Sequence, residues 1–192
     1  MGTMAPVIDF LEQPTTPRTT QNMAKGHVKL LCGISGSGKT TYADRLVGRH
    51  NYIKLSIDEF MWKDHGECGV DYPMEEYRRR YAQSELSLQR QLVKHVRDGR
   101  DVVLDMTFCH RQKRDIYRDL LNANDADYEL VYFPIDFATA WERIDRRNND
   151  KPGPNKARVT KEMLTQFYNG FERPAGDEVY RTASSESIEG DS

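Results

Sequence analysis

The most informative part of the sequence is Gly33-Ile34-Ser35-Gly36-Ser37-Gly38-Lys39-Thr40, which matches the pattern G-x-x-x-x-G-K-[ST] at every specified position. An apolar run typical of a β-strand, His27–Cys32, comes before it, and a helical pattern, Lys39–Arg49, follows it. Glycines at these positions let backbone N–H groups turn inward around phosphate oxygens, and the helix presents its positive end to the same anion. This part of the chain therefore predicts a phosphate-binding loop, the P-loop, for a nucleoside triphosphate.

Two side chains of the P-loop have expected tasks. Lys39 is expected to reach the β- and γ-phosphates, and Thr40 is expected to bind Mg²⁺. The residues expected to contact the nucleotide are Gly33, Ser35, Gly36, Ser37, Gly38, Lys39, Thr40 and Thr41. The alternative is a glycine-rich turn formed by chance, which the flanking strand and helix argue against. The motif indicates a nucleotide, but it does not separate a kinase from a GTPase or a motor.

Downstream of the P-loop, apolar β-type runs alternate with helical patterns. Further strands are predicted at Tyr52–Ser56, Val102–Met106 and Tyr128–Phe133, and helices at Met74–Arg97, Gln112–Asn122, Phe137–Asn148 and Thr160–Phe171. This alternation predicts an α/β fold, a three-layer α/β/α sandwich with a parallel sheet, in which ligands bind beyond the carboxyl ends of the strands. Residues 27–174 are predicted to form one domain, flanked by a disordered arm, residues 1–26, and a disordered acidic tail, residues 175–192.

Composition excludes several classes of protein. The 192 residues are 38% apolar and carry a formal net charge of −2, which argues against binding nucleic acid by bulk charge. No apolar run approaches the roughly 18 residues of a membrane-spanning helix, and the N-terminus lacks a secretory pattern. Cys32, Cys68 and Cys109 are widely spaced and form no metal-ligand pattern. We therefore predict a cytoplasmic protein without disulfides and without a membrane partner.

Two acidic residues follow predicted strands at the ligand-binding edge. Asp58 comes just after the second strand, where it could accept a proton from a substrate hydroxyl or simply cap the next helix. Glu59 beside it is the weaker candidate for this base. Asp105 ends the third strand, where it could orient Mg²⁺ or the substrate, or be a solvated acid at the strand end.

Basic residues form two groups. The first follows the third strand, and it is either a wall for an anionic acceptor or a solvated helix face; it comprises His110, Arg111, Lys113, Arg114 and Arg118. The second lies at the end of the helix Phe137–Asn148, where Arg143 and Arg147 share one face and Arg146 is expected at the surface. The following Pro152-Gly153-Pro154 predicts a mobile lid that brings guanidinium groups onto the transferring phosphoryl group.

These pieces together resemble the small P-loop kinases that include polynucleotide 5′-hydroxyl kinases, chloramphenicol phosphotransferases and zeta-type toxins. Within this group, the chain is most similar to AAA-type ATP-binding proteins. Besides the P-loop, the resemblance rests on Leu55–Glu59, Val102–Thr107, Trp141–Ile144 with Arg147-Asn148, Arg158-Val159-Thr160 and Phe171–Pro174. It spans nearly the whole of residues 27–174, and it implies a nucleoside- or nucleotide-kinase-like fold with an arginine-bearing lid.

The resemblance also implies site residues. Asp58 corresponds to the general base, Arg143 and Arg147 to the lid arginines, and Lys151 to a further basic group of the lid. Polynucleotide kinases commonly carry an arginine shortly after the catalytic aspartate, whereas this chain has Glu59-Phe60-Met61-Trp62-Lys63. This departure disfavours a nucleic-acid partner and leaves Trp62 and its apolar neighbours to form the acceptor pocket.

The function that these residues favour is an ATP- and Mg²⁺-dependent transfer of the γ-phosphoryl group to a hydroxyl of a small molecule or nucleotide derivative. The catalytic residues would be Lys39, Asp58, Arg143 and Arg147, with Thr40 and Asp105 at the metal. Asp58, Trp62, Arg111 and Arg114 would contact the acceptor. The alternatives are a polynucleotide 5′-hydroxyl kinase, a zeta-type toxin kinase, and a switch ATPase that phosphorylates nothing.

Overall fold

The computed structural model describes residues 26–150, 153–154 and 158–183. The predictions for Lys151 and, except for Gly26, for the N-terminal arm fall outside these residues. The same holds for the last nine residues of the acidic tail.

Strand β1 (His27–Cys32) lies at the centre of a five-stranded parallel sheet. The strand order is β2 (Ile53–Ser56), β3 (Val102–Asp105), β1, β4 (Asp127–Tyr132) and β5 (Arg181–Thr182). In register, Leu30 of β1 pairs with Leu104 of β3 on one side and with Leu130 of β4 on the other. The carboxyl ends of β1, β2 and β3 therefore meet at one edge, and the P-loop follows β1 there.

In the described part of the chain, six α-helices connect the strands. They are α1 (Lys39–His50), α2 (Ile57–His65), α3 (Tyr77–Arg97), α4 (Arg111–Asn122), α5 (Phe137–Arg147) and α6 (Lys161–Asn169), and a 3₁₀ turn, Met74–Glu76, precedes α3. Thr160 caps α6 as expected, since its side chain accepts a hydrogen bond of 3.2 Å from the Met163 N–H. Among the described residues, no helix is long and apolar enough to cross a membrane.

Apolar side chains on both faces of the sheet build the core. On one face, α3 packs against β2 and β3 and α4 packs against β4, through Leu88, Leu92, Val96, Tyr117 and Leu121. On the opposite face, α1 packs through Tyr42, Ala43 and Leu46. Each leucine or valine among them contributes roughly 1.5–3 kcal/mol when fully buried. The predicted three-layer sandwich with a parallel sheet is thus confirmed.

The end of the folded region differs from the prediction. β5 pairs with β4, and the Ala183 N–H donates to the Tyr132 carbonyl at 2.7 Å. Glu178 is buried, so the prediction of disorder from residue 175 is wrong for residues 175–183. The reason is that ion pairs and edge hydrogen bonds hold this segment, whereas its composition shows no apolar periodicity.

Candidate functional site

The P-loop is held closely by its neighbours. Gly36 and Gly38 have φ values of +83° and +97°, a region that favours glycine. A Cβ on Gly36 would lie 2.9 Å from the Ala140 carbonyl oxygen of α5. The Gly33 N–H donates to the Thr107 carbonyl at 3.0 Å, which ties the start of the P-loop to the segment after β3. Gly36 is therefore needed both for close approach to α5 and for turning the backbone, whereas Gly38 is needed for its positive φ.

Lys39 lies at the bottom of the site. Its ammonium donates a 3.0 Å hydrogen bond to the Ile34 carbonyl, and the residue is buried. Burial lowers the pKa of Lys39, while the negative charges of Asp105 and Asp58 act in the opposite direction. The ammonium of Lys39 therefore contacts the P-loop backbone and is under the influence of the carboxylates of Asp58 and Asp105.

Thr40 and Asp105 bring two side-chain oxygen donors together beside Lys39. Burial raises the pKa of Asp105, and the positive charge of Lys39 and a hydrogen bond with the Thr40 side chain oppose this shift. Asp105 is buried, and its Oδ2 has no hydrogen-bond partner in the part of the chain that the structure describes. A hydroxyl and an unsatisfied carboxylate oxygen suit Mg²⁺, which takes one or two protein ligands and completes its shell with phosphate oxygens and water.

Asp58 stands in the first turn of α2, opposite Lys39. The alternative role as a helix cap is wrong, because Ser56 caps α2 by accepting from the Glu59 N–H at 3.5 Å. Solvent reaches the Asp58 side chain, yet the surrounding protein removes enough hydration to raise its pKa, and repulsion from Asp105 adds to this. Lys39 and Arg147 counteract the shift. Glu59, the weaker candidate, is in an ion pair of 2.6 Å with Lys54.

Helix α5 brings its arginines to different places. The Arg143 Nη1 donates to the Gly36 carbonyl at 3.1 Å, so this guanidinium lies on the P-loop. Arg147 is half-buried; burial lowers its pKa, and the charge of Asp58 opposes that shift. Arg146 is exposed and lines a groove on the outer side of α5 with Phe137 and Trp141. The structure therefore brings Arg143 and Arg147 to the site and leaves Arg146 outside it.

Aromatic residues of α3 border the site beside Asp58. Burial raises the pKa of both Tyr77 and Tyr81, and the negative charge of Asp58 contributes to both shifts. The two rings contact each other with their centroids 6.0 Å apart. Trp62 lies four residues after Asp58 on α2 and so shares its helix face, while Met61 is buried in the core. These tyrosines were not predicted as site residues from the sequence; their i, i+4 spacing after Pro73 was the available signal.

The basic wall does not form as expected. Arg114 is 1% exposed, and its guanidinium binds Glu178 and two backbone carbonyls. Arg111 pairs with Asp177 at 2.8 Å. A buried guanidinium whose donors are taken by protein cannot contact an acceptor, so the prediction of Arg114 as a substrate residue is wrong. Composition alone could not show that the acidic tail supplies these partners.

The fold and the P-loop together define a P-loop protein of the kinase type. The model of the AAA_33 family, described as an AAA domain, matches residues 28–174, and the chain belongs to this family. A comparison with curated proteins finds no match.

Solved structures share this fold at low sequence identity. A proposed kinase from Chloroflexus aurantiacus j-10-fl has a TM-score of 0.66 at 16% identity, with 82% of this chain and 86% of that chain covered. A chain of the Pnkp1/Rnl/Hen1 RNA repair complex has a TM-score of 0.60 at 18% identity, covering 79% of this chain and 47% of that one. A gluconokinase from Sinorhizobium meliloti 1021 has a TM-score of 0.55 at 16% identity, with 83% and 82% covered. At these identities the likeness shows that the fold is shared.

Proposed function

We propose that the protein transfers the γ-phosphoryl group of ATP, bound with Mg²⁺, to a hydroxyl of a small molecule or nucleotide derivative. One observation carries this proposal: the site holds a second carboxylate, Asp58, which follows β2 rather than β3 and is in electrostatic contact with Asp105, Lys39 and Arg147. A protein that only binds nucleotide has no need of a second carboxylate placed to receive a proton from an attacking hydroxyl.

Each residue of the site has a role in this reaction. The P-loop amides and Lys39 bind the phosphates, and Thr40 and Asp105 would hold Mg²⁺, which when bound neutralises charge on the phosphate oxygens. Asp58 accepts the hydroxyl proton as the oxygen attacks, and its raised pKa makes the carboxylate a better proton acceptor. Arg143 and Arg147 neutralise charge that develops on the transferring group.

The surroundings of Asp58 favour a small acceptor over a polynucleotide. Tyr77, Tyr81 and Trp62 place aromatic side chains on the α2–α3 side, which suit a compact acceptor with an apolar or planar part. Arg111 and Arg114, the residues that would have held a phosphate backbone, are bound to Asp177 and Glu178 instead. Lys39 and Arg147 are the cations that act most strongly on Asp58, and both belong to the nucleotide site.

The test is transfer of label from γ-labelled ATP with Mg²⁺ to a panel of acceptors that contains sugars, nucleosides, aromatic alcohols and a 5′-hydroxyl oligonucleotide. We expect label on a small molecule. The Asp58→Asn variant should lower kcat by about 10²–10⁴-fold, the usual contribution of a general base, with little change in ATP affinity. Equal losses of kcat and ATP affinity would contradict the role of Asp58.

The matched control is Glu59→Gln, which removes the neighbouring carboxylate that pairs with Lys54, and it should retain most of the activity. Label only on the oligonucleotide would identify a polynucleotide kinase instead. ATP turnover that survives Asp58→Asn, with no labelled product from any acceptor, would identify a switch ATPase. Growth arrest of the expressing host that Asp58→Asn relieves would favour a toxin kinase.

A further inference from the structure

The segment after β3 is held from two sides. This β3–α4 loop, residues 106–110, directly follows Asp105 and leads into α4. On one side, the Thr107 carbonyl accepts the hydrogen bond from the Gly33 N–H at the start of the P-loop. On the other side it meets residues 171–183, which we call the C-terminal strap.

Backbone and side-chain groups of Glu172 fasten the strap to the loop. The Glu172 N–H donates to the Cys109 carbonyl at 2.9 Å. The Glu172 carboxylate accepts from the Arg111 N–H at 2.6 Å, which satisfies a backbone donor in the first turn of α4 and places a negative charge at its N-terminus. The strap therefore fixes both the end of the loop and the start of the helix.

Arg114 joins the strap to the middle of the loop. Its Nη1 donates to the Phe108 carbonyl at 3.0 Å and to the Glu172 carbonyl at 2.8 Å. Its Nε and Nη2 donate to the two carboxylate oxygens of Glu178 at 2.6 and 2.8 Å. Such a two-pronged geometry is specific to arginine and orients the guanidinium as well as neutralising it.

Phe108 is the residue of the β3–α4 loop that Arg114 contacts directly. Its φ of +44° is unusual for a residue other than glycine, and such a conformation persists only where the surroundings hold it. Its carbonyl accepts from Arg114 and from the Cys32 Sγ at 3.4 Å, and its ring packs against Tyr117 with centroids 5.0 Å apart. Arg114 thus stabilises a strained turn three residues after Asp105 and one residue after the carbonyl that binds the P-loop.

We propose that Arg114 is a positioning residue of the nucleotide site: with Glu178 as its counter-ion, it holds the β3–α4 loop against the P-loop and so sets where Asp105 stands relative to Thr40. This inference rests on the proposed function for the identity of the ligand. Glu178 lies beyond residues 28–174, the part of the chain that the family model matches, so a residue outside the matched domain completes the site.

The test uses the double variant Arg114→Met/Glu178→Met in the full chain. Replacing both charges of a buried ion pair with apolar groups is often tolerated, whereas removing one charge leaves the other unpaired. The double variant should therefore stay folded but lose the hydrogen bonds to the Phe108 and Glu172 carbonyls. We expect the Kd of an Mg²⁺-bound, non-hydrolysable ATP analogue to rise about tenfold or more, and high Mg²⁺ concentration to restore part of the binding.

A second measurement needs no ligand. Hydrogen exchange of the Gly33 amide reports the contact with the Thr107 carbonyl, and it should accelerate about tenfold or more while interior amides of β1 keep their rates. The control variant Arg97→Met removes a 3.0 Å hydrogen bond from Arg97 to the Asn124 side chain, at the C-terminal ends of α3 and α4 and away from the loop and the strap. Gly33 exchange and the Kd should be unchanged in it.

The two proposals can fail separately. If the wild-type protein transfers no phosphoryl group, the proposed function fails, but Gly33 exchange still tests Arg114. If the double variant does not fold, Arg114→Lys replaces it, because one ammonium keeps the charge opposite Glu178 but cannot bind both carbonyls. Wild-type Gly33 exchange and a wild-type Kd in a folded variant of Arg114 would overturn the positioning role.

Discussion

At the scale of single residues, the site brings together charged side chains that are poorly hydrated, which is unfavourable for the stability of the fold. Lys39 is buried, and the carboxylates of Asp105 and Asp58 act on it and on each other. The pKa values of both acids are raised, chiefly by loss of hydration. Groups with shifted pKa values in one cleft are typical of functional sites, because a structure selected for stability alone would separate or neutralise them.

The raised pKa of Asp58 predicts how stability depends on pH. Because the folded state binds this proton more tightly than the unfolded chain does, ionisation of Asp58 destabilises the fold at pH values above its folded pKa. The Asp58→Asn variant should therefore melt at a higher temperature than the wild type at neutral pH. The advantage should disappear as the pH falls below the ordinary pKa of an aspartate, about 3.9.

Calorimetric unfolding of both proteins between pH 3 and pH 8 checks this prediction. The matched control is Asp64→Asn, a change of the same kind at an exposed residue near the C-terminal end of the same helix. A melting temperature of Asp58→Asn that is lower than that of the wild type at neutral pH would contradict the shift of the pKa.

At the scale of elements, α5 is in direct contact with the P-loop. Gly36 touches Ala140, Arg143 donates to the Gly36 carbonyl, and Ile34 packs with Ala140 and Ile144 in a small core cluster. The helix that carries the arginines therefore rests directly on the loop that binds phosphate. A shift of α5 would therefore move its arginines and the P-loop together.

Gly36→Ala tests this contact. The new methyl group would require a strained positive φ and would meet the Ala140 backbone, so we expect a loss of at least about 1–2 kcal/mol in the free energy of unfolding and weaker nucleotide binding. Gly48→Ala is the control, because Gly48 lies in α1 with open space around it, and it should gain roughly 0.5–1 kcal/mol. Denaturant unfolding and calorimetric titration measure both effects, and equal stability of the two variants would argue against the close packing.

A second prediction concerns the two faces of α5. Arg147→Ala should lower kcat by about 100-fold, since Arg147 faces Asp58 and would stabilise charge in the transition state. Arg146→Ala removes the adjacent guanidinium from the outer groove and should change kcat less than about twofold. Steady-state kinetics with the identified acceptor compares them. Similar kcat values for the two variants would show that Arg147 does not act on the transferring group.

At the scale of the whole molecule, distant parts of the chain meet at one edge of the sheet. The P-loop follows β1, Asp58 follows β2, Asp105 ends β3, and residues 175–183 return to cover the start of α4. Because the ligand would contact only the folded arrangement, binding and folding are coupled.

This coupling predicts that Mg²⁺ with ATP raises the unfolding temperature. At 100 times its Kd, a ligand that binds only the folded state adds about 2.7 kcal/mol to the free energy of unfolding. Lys39→Ala should abolish most of the shift, and a chelator should reduce it in the wild type because Thr40 and Asp105 would lose the metal. Thermal unfolding with and without each component measures this. An unchanged shift in Lys39→Ala would contradict the assignment of the P-loop.

The sequence determined the fold class and the P-loop, because both depend on local properties of the chain. Glycine, lysine and threonine at set spacing define the loop, and the alternation of apolar strands and helices defines the layers. The positions of Asp58 and Asp105 also followed from the sequence, since residues just after parallel strands share one edge of the sheet.

Only the tertiary structure decided which charged side chains face that edge. Arg114 and Arg147 are the same residue type on helices of similar length, yet one is buried against Glu178 and the other acts on Asp58. The partner of Arg114 lies 64 residues away in a segment whose composition resembles a disordered tail. Helical periodicity shows which residues share a face, but the direction of that face depends on what packs against it, and this is a property of the assembled fold.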